Sequence, residues 1–260
     1  MKKMIFILLI TSAILSRAQE YSAELVFEMP LKADFFIGVD DYNALYYAKD
    51  NQIIKQWDDI TMQFSALQLG KITSIDILNP LKIIVFYDNS NTVVILDNTL
   101  SEIERINFST IPAYRNISHA SNAGDRKLWI FNTDEQRLEI YDWGLRKITT
   151  QFPPRKSNET LVVSNFNFAW VADDNSLSEY NIYGSFLDEN HLKNIEFMSQ
   201  SHGNLLLSAN TIFQYKKKNA REFLKINLPE LPLEQLYLNN EILYIYSHQK
   251  VKAFRIKLAK

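Results

Sequence analysis

Histidine is the side chain most often recruited for proton transfer and metal binding near neutral pH, and this chain has four: His119, His191, His202 and His248. They lie 72, 11 and 46 positions apart, so none forms the paired spacing with which a helix or tight turn presents two ligands to one ion. There is no cysteine, which removes disulfides, thiolate metal sites, a cysteine nucleophile and an acylated cysteine anchor. HExxH and GxSxG patterns are absent. The six glycines never fall within six positions of each other, so no glycine-rich phosphate cradle can form and Rossmann and P-loop readings are excluded. No cofactor is expected, and any chemistry must come from residues that the fold gathers from far apart.

Charged residues recur with more order. Asp50, Asp88, Asp134 with Glu135, and Asp173 with Asp174 each follow an apolar run. They would form a negative rim for a basic partner, or simply cap tight turns, which Asp does well. Lys216, Lys217 and Lys218 with Arg221 read as a solvated hairpin tip. With 28 Lys and Arg against 30 Asp and Glu, the chain has no basic excess to neutralise phosphates, so nucleic acid is not an expected partner.

The elements that must position these residues are short strands. Runs such as Ile83–Tyr87 and Leu128–Phe131 are continuously apolar and end in Asp, Asn or Ser, as expected for strands buried on both faces. Six such runs end at Lys49, Asp88, Asn132, Asp173, Ala209 and Ser247, and their partner strands end at Asp58, Asp97, Asp142, Asn181, Lys216 and Arg255. Both series advance by about 40 residues per step, the period of a β-propeller built from four-stranded blades. A large β-sandwich would give no reason for two markers to share one step. The sixth unit lacks a fourth strand, whereas Tyr21–Glu28 is a strand without a unit. The expected fold is therefore all-β: a six-bladed propeller closed by the N-terminal strand completing the last blade, which removes two exposed edges.

Unit four reads Val171-Ala172-Asp173-Asp174-Asn175, then Tyr180-Asn181, then Gly184-Ser185-Phe186-Leu187. This resembles the repeat of NHL-type and YVTN-type propellers, and Asp97-Asn98-Thr99-Leu100 and Tyr141-Asp142-Trp143-Gly144-Leu145 echo it. The resemblance implies architecture rather than activity. Six-bladed lactonases and esterases resemble the same architecture and hold a divalent cation at one mouth of the channel. By that likeness the entries to the innermost strands, near Asp34, Ser74, Asn116, Ser164, Glu196 and Gln235, are the places to look. Asp34, Asn116 and Glu196 would supply oxygen ligands to a hard cation, although channel mouths are commonly hydrophilic and no metal is expected. Trp129, Trp170 and Tyr244 read as core between blades, while Trp57 or Trp143, at strand ends, is a candidate exposed anchor.

Lys2 and Lys3, the apolar run Met4–Leu15 and the small residues Ser16 and Ala18 read as a signal peptide over residues 1–18, followed by a single domain over 19–260. Its removal takes away three cations and no anion, moving the formal net charge from −2 to −5. The twelve-residue run is too short to span a bilayer. These observations predict an exported module, periplasmic or extracellular, that recognises an envelope or secreted protein through one loop-rich face without catalysis. The alternatives are a cation-dependent lactonase or esterase at the channel, and a carbohydrate or peptide sensor.

Overall fold

The computed structural model describes residues 20–155 and 161–258, so the signal-peptide reading lies outside the described residues. The architecture is an all-β propeller, with one 3-10 turn at Leu67–Leu69. β1 (Tyr21–Pro30) precedes the first unit. Unit one holds β2 (Phe35–Val39), β3 (Leu45–Lys49), β4 (Gln52–Trp57) and β5 (Ile60–Phe64). Unit two holds β6 (Ser74–Asp76), β7 (Ile83–Tyr87), β8 (Thr92–Leu96) and β9 (Glu102–Asn107). Unit three holds β10 (Ile117–Asn122), β11 (Lys127–Asn132), β12 (Arg137–Asp142) and β13 (Lys147–Gln151). Unit four holds β14 (Leu161–Ser164), β15 (Phe168–Ala172), β16 (Leu177–Asn181) and β17 (Phe186–Asn190). Unit five holds β18 (Ile195–Ser201), β19 (Asn204–Ala209), β20 (Ile212–Lys216) and β21 (Leu224–Asn227), and β22 (Gln235–Asn239), β23 (Ile242–Ser247) and β24 (Lys250–Leu258) follow.

Units one to four are separate four-stranded antiparallel sheets, and the remaining strands form one sheet of eight. β1 runs antiparallel to β24 from Tyr21 opposite Leu258 to Pro30 opposite Lys250, and touches β21 in parallel only at Tyr21 and Ser22. One expected boundary moves: Ser164 ends β14 rather than starting it, because Leu161-Val162-Val163 pair with Val171, Trp170 and their neighbours ahead of it. Type I′ geometry suits the twist of flanking strands but demands positive φ at both central residues. Asp50-Asn51, Asn210-Thr211 and His248-Gln249 meet that demand.

The continuous apolar runs follow from burial on two faces. Along β7, Ile83, Val85 and Tyr87 enter the cluster shared with unit one, and Ile84 and Phe86 enter the cluster shared with unit three. Burying each such side chain fully is worth about 1.5–3 kcal/mol. Each of six clusters joins consecutive units, and one of them sets Tyr244, Tyr246, Val251 and Ala253 against Leu31, Phe36 and Val39 of unit one. Trp129, Trp170 and Tyr244 are buried in these clusters, as expected. At the axis β2 packs beside β22, β22 beside β18, β18 beside β14, β14 beside β10 and β10 beside β6.

Antiparallel order separates the connections. Turns between first and second and between third and fourth strands of a unit emerge at one end, here the hairpin face. Turns between second and third strands and the links between units emerge at the other, the crossover face.

Candidate functional site

On the crossover face the three expected residues stand at the entries of units one, three and five and serve their own units. Asp34 is exposed just before β2 and accepts the Asp50 amide N–H through Oδ2 at 2.6 Å. Asn116 precedes β10; its side-chain amide donates to Asp134 Oδ1 at 3.4 Å, and its carbonyl accepts the Thr133 N–H at 2.8 Å. Glu196 is exposed in the bulge of β18 between Ile195 and Phe197. None of the three lines the axial cavity, and among the described residues no three His, Asp or Glu gather as metal ligands.

Three of the four acidic turns hold carboxylates internally, whereas among the described residues the Asp50 carboxylate accepts no hydrogen bond. Asp88 accepts the Asn89 N–H at 2.6 Å, and Glu135 pairs with Arg137 at 2.6 Å. Asp173 accepts the Asn175 and Ser176 N–H groups and pairs with Arg155. Burial opposes the Asp173 charge, but those amides and the guanidinium outweigh it and hold the carboxyl below the usual range. Deeper, the fully buried Glu139 accepts Arg115 Nε at 2.7 Å and Gln151 Nε2 at 2.8 Å, pinning the link from unit two to unit three onto β12.

The hairpin face differs. Asp40 Oδ1 accepts the Tyr42 N–H, Asn79 Oδ1 the Leu81 N–H, Asp142 Oδ1 the Leu145 N–H and Asn181 Oδ1 the Tyr183 N–H, at 2.8–3.0 Å. Each of these Asx turns lifts an apolar side chain into solvent: Tyr42 is 69% exposed, Leu81 62%, Leu145 63% and Tyr183 87%. Phe166, in the turn folded around the Asn165 carboxamide, joins them, as does Trp57 at the end of β4. Of the two candidate anchors Trp57 is thus the exposed one, since Trp143 is partly buried and flanked by Lys82 and Arg126 about 6 Å from its ring. The basic run lies on this face too, with Lys217 paired to Glu241 at 2.9 Å and Lys216 to Asp188 at 3.6 Å. The sequence carried this signal as a repeated pattern, Asp or Asn followed two or three positions later by an exposed apolar residue.

Between the faces, a cavity of about 820 Å³ runs along the axis, walled by the first strands of the units. Side chains tie most neighbouring strands there. Asp76 of β6 accepts the Asn122 N–H at 2.7 Å, and Ser121 meets Ser164 at 2.6 Å. Gln200 donates to the Ser164 carbonyl, Ser199 accepts the Leu238 N–H, and Asn239 donates to the Val39 carbonyl. Among the described residues no comparable hydrogen bond joins β2 to β6. The Tyr237 ring lies across Gly38, whose φ of +155° and whose missing Cβ both matter, since a Cβ would stand 2.7 Å from that ring. His119 Nε2 is 2.9 Å from Ser121 Oγ, and burial depresses its pKa to about 4, so it is neutral and a weak base. The polar alternation Ser74-x-Asp76 and His119-x-Ser121 was visible in the sequence, but nothing local distinguished it from ordinary strand alternation.

No family model and no curated protein matches the chain. Solved structures match its fold. The propeller domain of Cps50 (Swd1) from Myceliophteria thermophila gives a TM-score of 0.62 at 10% identity, covering 90% of this chain and all of that one. A catalytically inactive virginiamycin B lyase from Staphylococcus aureus, solved with quinupristin, gives 0.60 at 12% identity over 91% and 99% of the two chains. BamB from Moraxella catarrhalis gives 0.50 at 13% identity over 84% and 70%. At these identities the likeness is one of fold: the chain is a β-propeller similar to all three.

Proposed function

We propose that this chain is an exported six-bladed propeller, its β1 strand completing the last blade, that recognises an envelope or secreted protein through its hairpin face without catalysis. The observation that carries the reading is the row of apolar tips on that face. A turn held by an Asx hydrogen bond needs no apolar residue at its tip, and solvent-exposed aromatic side chains such as Tyr42, Tyr183, Phe166 and Trp57 are of the kind that anchors protein partners. The sequence had offered instead the acidic turns, which lie on the crossover face, where fewer apolar side chains are exposed. Six clusters between consecutive units, and the long pairing of β1 with β24, support the closed ring. Among the described residues no helix is long and apolar enough to cross a membrane.

The test is affinity capture from envelope extracts with the wild-type chain and a Tyr42→Ser, Leu145→Ser, Phe166→Ser, Tyr183→Ser variant of equal melting temperature. The partner should be lost with the variant. Retention by that variant, together with loss on replacing Asp50, Asp88 and Asp134 by Ser, would move recognition to the acidic rim. N-terminal sequencing of the exported protein should begin at Gln19.

A further inference from the structure

The axial cavity holds hydrogen-bonding capacity that the ring does not use. Ser74 Oγ and Gln200 Oε1 are buried without a partner, and a buried polar atom left unpaired is unfavourable. Asp76 is a carboxylate whose partners are N–H groups of Asn122 and Leu78; among the described residues no Lys or Arg pairs with it. Burial raises its pKa despite those hydrogen bonds, and raises that of Tyr237, which also feels the Asp76 charge. An uncompensated carboxylate in a walled cavity attracts cations and repels anions. Of the basic side chains bordering the cavity, Lys216 and Lys217 already pair with Asp188 and Glu241, and Lys218 is exposed to solvent in the turn after β20.

We propose that the axial cavity binds a small organic ammonium ligand, its charged nitrogen donating to Asp76 beside the Tyr237 ring and its further donor groups reaching Ser74 and Gln200. A carboxylate and an aromatic face together suit an ammonium ion, by charge and by cation–π attraction. Unpartnered acceptors demand a ligand rich in N–H or O–H donors. A cavity of about 820 Å³ is within the range of small-molecule sites. Asp40, Asp41 and His119 also line the cavity, but among the described residues no three His, Asp or Glu side chains gather around one point, so the site does not make a chelate for a divalent metal.

Titration calorimetry on the full exported chain tests this with four probes: spermidine, glucosamine, glucose and calcium chloride. Spermidine and glucosamine should bind, and glucose, which lacks only the ammonium group of glucosamine, should bind at least about tenfold more weakly. Asp76→Asn keeps the shape and an acceptor for Asn122, and should cut amine affinity about tenfold or more. Gln200→Met, which removes the unpartnered acceptor at similar volume, should weaken it about threefold and keeps the test decisive if the Asp76 variant fails to fold. Equal binding of glucose and glucosamine, unchanged affinity in both variants, no heat from either amine up to about 10 mM, or Asp76-dependent calcium binding in place of amine binding would each overturn the proposal.

Discussion

The two ends of the ring are built with one turn device and finished differently. At Asp173 on the crossover face and at Asn181 on the hairpin face, a side-chain oxygen accepts the backbone N–H two residues on, at 3.0 Å in both. The residue so presented is Asn175 in the first case and Tyr183 in the second. On the crossover face, carboxylates also pair inward, Asp173 with Arg155 and Glu139 with Arg115. Turn geometry therefore fixes the Asp or Asn and leaves the tip free. The charged residues of one face belong to the fold, and the tips of the other are available to a partner.

Five perturbations would break or sharpen that contrast. The largest effect belongs to Glu139→Ala, which strands the half-buried Arg115 guanidinium; we expect a loss of about 3 kcal/mol or more in denaturant unfolding. A change under about 1 kcal/mol would mean that the crossover charges are not structural.

Acidification comes next, and it probes the axis between the faces. His119 has a folded pKa depressed to about 4 against 6.5 in the unfolded chain, so the unfolded form takes up the proton first. Stability is then fully present above about pH 6.5 and is lost as pH falls toward 4, by roughly 2–3 kcal/mol at most. Asp76 works in the opposite sense, since its raised pKa lets the folded form take up a proton first. His119→Gln should flatten the slope between pH 6.5 and 5 in thermal melts, and an unchanged slope would remove His119 from the account.

Asp88→Ala, which deletes a turn acceptor on the crossover face, should cost about 1 kcal/mol. Asn181→Ala on the hairpin face should cost a similar amount, because each change removes a side-chain acceptor of turn N–H groups, Asn89 in one case and Tyr183 and Ser185 in the other; a difference above about 1 kcal/mol would show that the two ends are not built alike. The smallest effect on stability is expected from Tyr183→Ser, within about 0.5 kcal/mol, although the same change weakens partner capture. A Tyr183→Ser variant that melts well below the wild type would make the tips part of the fold.

Much of this was legible in the chain itself. The runs ending at Lys49, Asn132, Ala209 and Ser247 end where their strands end, because polar turns such as Asp50-Asn51 and Asn210-Thr211 punctuate strands locally. Glu196 illustrates the limit: its position at the entry of β18 was readable, but the bulge that leaves it in solvent was not. Nor could the sequence say that Asp34 would turn to the Asp50 amide, or that Ser164 would close β14 instead of opening it.

The sequence by itself determined the repeat, the all-β composition and the doubly buried middle strands, since period and hydrophobicity act over a few residues. Tertiary structure alone decided which polar side chains meet at the axis and which tips share a face. His119, Ser164 and Gln200 lie tens of residues apart, and only the packing of unit against unit brings their strands side by side.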